Sequence, residues 1–275
     1  MCIEFLLFCV SMPATFAKAA THRIRRSVGS IGVYSCHRND ILILQRTMIS
    51  LQPKIADFLA TCRWAESLST EEMQRVASEI VEKRVASGGY VCRKGEAVAN
   101  WIGVIDGLVK MSTLSAEGKL TTLTGVASGG WFGEGSLLKD EPRRYDILAL
   151  RESRVACMPR ATFNRLLNTN LGFNRFLLVQ LNERLGMFIS LMENERLLEP
   201  DARVARSLGA LFNPVLYPGI GRQIQISQEE IGLLAGVSRQ RVNQALQVLE
   251  KAGLLRVDYG GVQVVDLPGL QKFEA

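Results

Sequence analysis

Two groups of residues have types and spacings that can do chemistry. Arg239, Gln240, Asn243, Gln244 and Gln247 fall on one side of a helical repeat, opposite Val242, Ala245, Leu246 and Leu249. A polar face of one arginine and four amides, with no acid, is unlike the mixed Glu/Lys faces of ordinary solvated helices. Arg, Asn and Gln are the side chains that bond two atoms of a guanine or adenine edge at once in the major groove. The second group is Gly133-Glu134-Gly135, with Arg144 and Tyr145 downstream. A turn with open backbone N–H groups, a carboxylate and an arginine can hold a sugar phosphate. The Glu would accept from a ribose hydroxyl and the Arg would pair with the phosphate. Taken alone, this loop reads better as a turn closed by an internal Glu–Arg pair.

The polar face needs elements to position it, and the flanking residues supply them. Ser227 is an N-cap with Glu230 three residues on, the spacing of a capping box. Ile231, Leu234 and Ala235 form the inner face of a first short helix, and Gly236 ends it. Val237 fills the turn. Ser238 caps a second helix running from Arg239 to about Lys251. This pattern predicts a helix-turn-helix with Arg239–Lys251 as the recognition helix, and Ser238, Arg239, Gln240, Asn243 and Gln244 as DNA-binding residues. The bland alternative is a helical hairpin in a core. Leu254 to Val257 and Val262 to Val265 then read as two strands around Asp258-Tyr259-Gly260-Gly261, a hairpin that makes the unit a winged helix, with Arg256 available to a phosphate.

Charge does not mark the DNA-facing part. The net charge of +6 divides as +4 over residues 1–50, +1 over 51–199 and +1 over 200–275, so any attraction for phosphates depends on where Arg239, Arg241 and Arg256 sit. The six cysteines include no CxxC pair and match no zinc or iron–sulfur spacing, which suggests packing roles in a reducing compartment. At 275 residues the chain has room for about two domains.

Residues 1–50 are the least coherent stretch. The apolar run from Ile3 to Val10 is too short to span a bilayer, and Glu4 without a basic neighbour argues against a secretory signal. We expect a disordered extension or a start placed too early. Residues 54–83 look helical, opened by Ser69-Thr70-Glu71-Glu72. From Val85 to Cys157 β-type runs alternate with glycine turns at the rhythm of a small antiparallel barrel or roll. Another helix is expected around Phe163–Leu167. Residues 171–198 contain no proline and carry apolar residues on more than one side, predicting a helix about 40 Å long that packs on its own domain and on a partner helix. Pro200 then starts a helix over Ala202–Leu211 and makes a natural hinge.

The order of a roll with an FGE loop and downstream Arg, a long helix, and a winged helix-turn-helix opening on VSRQRV resembles the Crp/Fnr family of bacterial transcription regulators. The resemblance covers about residues 54–270. It implies an α+β fold: a cyclic-nucleotide-binding-like β-roll over 54–168, a dimerisation helix over 171–198 and a winged helix-turn-helix over 200–270. It implies double-stranded DNA, a second copy of the chain and RNA polymerase as partners, in the cytoplasm and without a membrane. It further implies effector binding at Gly133, Glu134, Gly135, Arg144 and Tyr145, with a cyclic nucleotide, cyclic AMP among them, as the possible ligand. The pattern of a cyclic-AMP binder has Ser or Thr after the arginine, where this chain has Tyr145, and a Thr-Ser pair on the long helix, where it has Phe188-Ile189. A different effector, or none, is the alternative. Arg239, Gln240 and Gln244 match the base-reading positions; Arg239 suggests a guanine, and the two glutamines a specificity shifted toward adenine. An enzyme is not expected, since both histidines, His22 and His37, lie in the extension and no GxSxG or P-loop occurs. The remaining rival is a protein-interaction module.

Overall fold

The computed structural model describes residues 55–115, 118 and 120–274; the expected extension lies outside them. The order opens with α1 (Ile55–Ala60), a short 3-10 helix (Arg63–Ser67) and α2 (Thr70–Glu79). Ser69 and Glu72 close a full capping box at the start of α2. The helical expectation over 54–83 overshoots by one element, because the chain turns extended at Ile80 and Val81–Val85 is strand β1. There its residues pair with the later strand Ser153–Pro159 rather than continuing the apolar face of α2.

The roll follows: β2 (Tyr90–Cys92), β3 (Asn100–Asp106), β4 (Leu108–Leu114), β5 (Leu120–Ala127), β6 (Trp131–Phe132), α3 (Glu134–Lys139), β7 (Asp146–Ala149) and β8 (Ser153–Pro159). Its two four-stranded antiparallel sheets have the orders β1-β8-β3-β6 and β2-β7-β4-β5. Glu82 on β1 grips Arg154 on β8 through two bonds of 2.8 and 2.9 Å. Then come α4 (Arg160–Thr169) and the long α5 (Leu171–Leu197). An aromatic cluster joins the start of α5 to the roll: Trp101 and Trp131 lie 4.3 Å apart between ring centroids, and Phe173 of α5 meets Trp64 and Trp101 edge-on.

The remaining elements are α6 (Pro200–Ala210), β9 (Gln223–Gln225), α7 (Gln228–Ala235), α8 (Arg239–Lys251), β10 (Leu255–Asp258), β11 (Gly261–Val264) and α9 (Leu267–Lys272). β9 is a third strand on the expected hairpin, in the order β10-β11-β9. The fold is α+β, with a β-roll, a long helix and a winged helix-turn-helix. No helix of the described residues is long and apolar enough to cross a membrane.

Candidate functional site

The recognition helix has a packed back and an open front. Val242, Ala245, Leu246 and Leu249 are buried, while Ser238, Arg239, Gln240, Asn243, Gln244 and Gln247 are exposed. Ser227 and Ser238 cap their helices by accepting from Glu230 N and Arg241 N. Gly236 takes a φ of 64°, a left-handed turn that a side chain would strain, and Arg203 donates to the carbonyls of Ala235 and Gly236 beside it. Every residue assigned to DNA from the pattern therefore lies on one surface. Arg256 is exposed on β10, and Glu250 ties that strand back to α8 by accepting from Val257 N at 2.9 Å.

One local expectation is corrected. Glu230 does not close a capping box with Ser227. Its carboxylate is taken by Lys110 of β4, whose Nζ donates to both oxygens at 2.8 and 2.9 Å. Lys110 is only 2% exposed, so an ammonium in the roll is neutralised by the first helix of the helix-turn-helix.

The loop in the roll is built differently. Gly133 caps α3 with a φ of 92°, and a Cβ there would collide with the Arg143 guanidinium. Glu134 is 1% exposed. It pairs with Arg184 from α5 and lies 3.4 Å from Trp101 Nε1. Arg184 also donates to the Trp131 carbonyl at 2.8 Å, and Gln180 to the same oxygen at 3.3 Å. Burial is the largest single influence and pulls the Arg184 guanidinium down, but the charges of Glu134, Tyr217 and Tyr145 together hold its pKa above the ordinary arginine value. Tyr145 packs partly buried against the core, and burial, then the charge of Glu134, pushes its phenol up, so it stays neutral.

Arg144 is not brought to this loop. Its side chain is 67% exposed and forms a forked pair with Glu141, both bonds 2.7 Å. The arginine facing Gly133 is its neighbour, Arg143, 5% exposed, with Nη2 donating to the Asn100 carbonyl at 2.6 Å. Arg143 Nη1 is buried and, among the described residues, has no hydrogen-bond partner. Counting from Glu134 points to Arg144, whereas the side chain turned toward Gly133 is that of Arg143, because spacing cannot tell which of two adjacent side chains turns inward. Arg184 did leave a trace in the sequence. It and Gln180 are polar residues at the spacing of the buried positions Phe173, Leu177 and Met187.

Three cysteines, Cys62, Cys92 and Cys157, are free, and burial lifts the thiols of Cys62 and Cys92 to about 12 and about 11, as packing residues would be. No metal-competent cluster occurs among the described residues.

Residues 82–170 match the cyclic nucleotide-binding domain family, and residues 202–273 match the Crp-like helix-turn-helix domain. The chain belongs to the Crp/Fnr family. It is 29% identical over 165 residues, 58% of this chain and 73% of the relative, to the cAMP-activated global transcriptional regulator CRP of Haemophilus influenzae. It is 28% identical over 171 residues, 62% of this chain and 81% of the relative, to the transcriptional regulator SdrP of Thermus thermophilus. Among solved structures, a CRP-family transcriptional regulator, also from Thermus thermophilus, matches at 27% identity and a TM-score of 0.51, over 69% of this chain and 95% of that one. This Crp/Fnr chain thus carries a regulator's helix-turn-helix DNA-binding domain behind a cyclic-nucleotide-binding fold, and its Crp/Fnr relatives are transcription regulators, which are not enzymes.

Proposed function

We propose that this Crp/Fnr regulator acts in the cytoplasm as a homodimer that binds a palindromic operator under control of a phosphate-bearing effector in the roll. The observation that carries the reading is the exposed face of α8, where Arg239, Gln240, Asn243 and Gln244 project from a fully packed back. Residues 54–168 sense, 171–198 dimerise and 200–270 read DNA. The dimer is supported by a second stripe on α5. Leu171, Leu178, Leu185 and Met192 recur every seven residues, all exposed, with Ile189 beside them, while Phe173, Leu177 and Met187 face the chain's own core. A two-fold dimer sets its recognition helices about 34 Å apart, one turn of DNA. RNA polymerase is the partner such a regulator acts on.

The buried, unpartnered Arg143 Nη1 beside the α3 cap suits an anionic oxygen, so Arg143 rather than Arg144 is the proposed phosphate ligand. A ribose hydroxyl bonding to Glu134 competes with Arg184, which ties effector binding to α5. The internal Glu134–Arg184 pair favours one alternative, a regulator that needs no effector, since the loop is already closed by its own charges.

Calorimetric titration of the full chain with cyclic AMP and with cyclic GMP tests both. Binding that Arg143→Ala abolishes and Arg144→Ala leaves intact supports the effector reading; no binding, with operator affinity unchanged by either nucleotide, supports the alternative. Sedimentation alongside operator titration tests the rest. A monomeric chain, or an Arg239→Ala variant with full operator affinity, would sink the DNA-reading dimer.

A further inference from the structure

We infer that Arg241 is a positioning residue that fixes which way round Gln244 presents its amide, and not itself a DNA contact. This rests on the reading of Gln244 as base-facing. By type and place, the third residue of the recognition helix passes for one more phosphate or guanine ligand. Its guanidinium is already committed. Nη2 lies 3.0 Å from Oδ1 of Asp201, an ion pair without hydrogen-bond alignment, to a carboxylate in a residue only 9% exposed at the second position of α6. Nη1 donates to Gln244 Oε1 at 2.9 Å. Swinging the arginine out to DNA would leave the Asp201 charge buried without a partner, so the head stays.

The orientation of a glutamine amide is ordinarily ambiguous, because its oxygen and nitrogen are exchanged by a simple flip. Here chemistry decides it. A guanidinium carries only donors, so the Gln244 atom that faces it must be the oxygen. The NH2 group then takes the other position. The neighbouring Asn243–Gln247 bond, at 3.0 Å, has no such restriction, since turning both amides over gives an equally good bond. Gln244 is therefore a reader of fixed polarity, and it offers its N–H donors outward in every rotamer that keeps the Arg241 bond. Guanine, adenine and thymine each present an acceptor in the major groove, whereas the exocyclic group of cytosine is a donor. The base met by Gln244 is one that is not cytosine, and Arg241 enforces that choice.

The experiment measures operator affinity of the full chain by fluorescence anisotropy, on an operator selected from randomised DNA and then varied through all four base pairs at each half-site position. Cyclic AMP is absent in one arm and saturating in another. The position where Gln244→Ala relaxes discrimination identifies the base pair it reads. There the wild type binds the cytosine operator roughly tenfold more weakly than the best one. Arg241→Met reduces that ratio to below about threefold at the same position and leaves the others intact. Asp201→Asn frees the arginine for a phosphate and steepens the salt dependence by about one unit of slope, a change that mere loosening of the fold does not produce. Should Arg241→Met not fold, Arg241→Lys keeps the charge without the two-armed bridge and must show the same relaxation. Uniform weakening of all operators with discrimination preserved would overturn the inference, as would relaxation at a position that Gln244→Ala does not affect. If Gln244→Ala relaxes no position, the base-facing reading of Gln244 itself fails.

Discussion

The roll and the recognition helix use polar side chains in opposite ways. In the roll, Glu134 and Arg184 neutralise each other out of solvent, and Arg143 reaches inward to a backbone carbonyl. On α8, the polar residues face water across a helix whose inner side is wholly apolar. The first arrangement is nearly closed, and a ligand must break something to enter it. The second is complete as it stands and needs only a surface of matching pattern. On the proposed reading, a roll that is costly to open and a reading face that is always presented would suit a switch, because the energy of opening could be coupled to movement of α5.

The contrast can be broken most severely at the closed end. Arg184→Met leaves the Glu134 carboxylate buried without its cation, and the expected loss is about 3–5 kcal/mol, read as a drop in the urea midpoint. Adding Glu134→Gln should recover part of it; no recovery would mean that Arg184 acts through packing alone. At the open end the effect moves from folding to binding. Arg239→Ala should weaken operator affinity by about 1–3 kcal/mol while the urea midpoint stays put. A fall in the midpoint of similar size would erase the distinction between the two regions.

Smaller effects sharpen the picture. The forked bond from Arg154 holds the Glu82 carboxyl below its ordinary pKa, more than offsetting burial. A lowered carboxylate pKa contributes stability that is present above the unfolded value, near 4, and is lost as pH falls through the folded value. Glu82→Gln should therefore flatten the acid limb between about pH 5 and pH 3 and leave it unchanged in shape above. The smallest change is expected at Arg144. It draws the Glu141 carboxyl down to about 2, yet the pair is open to solvent, so Arg144→Ala should leave the urea midpoint where it is.

The same contrast governs what was legible in the sequence. The recognition helix runs from Arg239 to Lys251 as the caps and apolar spacing predict, because every signal that shapes it is local. Ser69-x-x-Glu72 and Ser227-x-x-Glu230 are identical as patterns. The first forms a complete capping box and the second only half, since Lys110, 120 residues away, claims Glu230. The roll was legible as a rhythm of strands and turns, but not which strand edges met. Its loop was recognisable at Gly133-Glu134, and its partners were not. Arg184 arrives from another element, and the choice between Arg143 and Arg144 depends on a backbone direction that spacing does not encode. Strand β9 and helix α9 were missed because three and six residues carry too little periodicity to register.

An ammonium sealed into the middle of a strand requires its counter-charge wherever the winged helix comes from. Grafting the DNA-reading half of another regulator onto this roll would strand Lys110 unless the graft carried an acid at the place of Glu230. The two halves are thus not interchangeable cassettes. Recombination between relatives must match this one pair, and a lineage can alter either member only by changing both or by passing through a weakened intermediate.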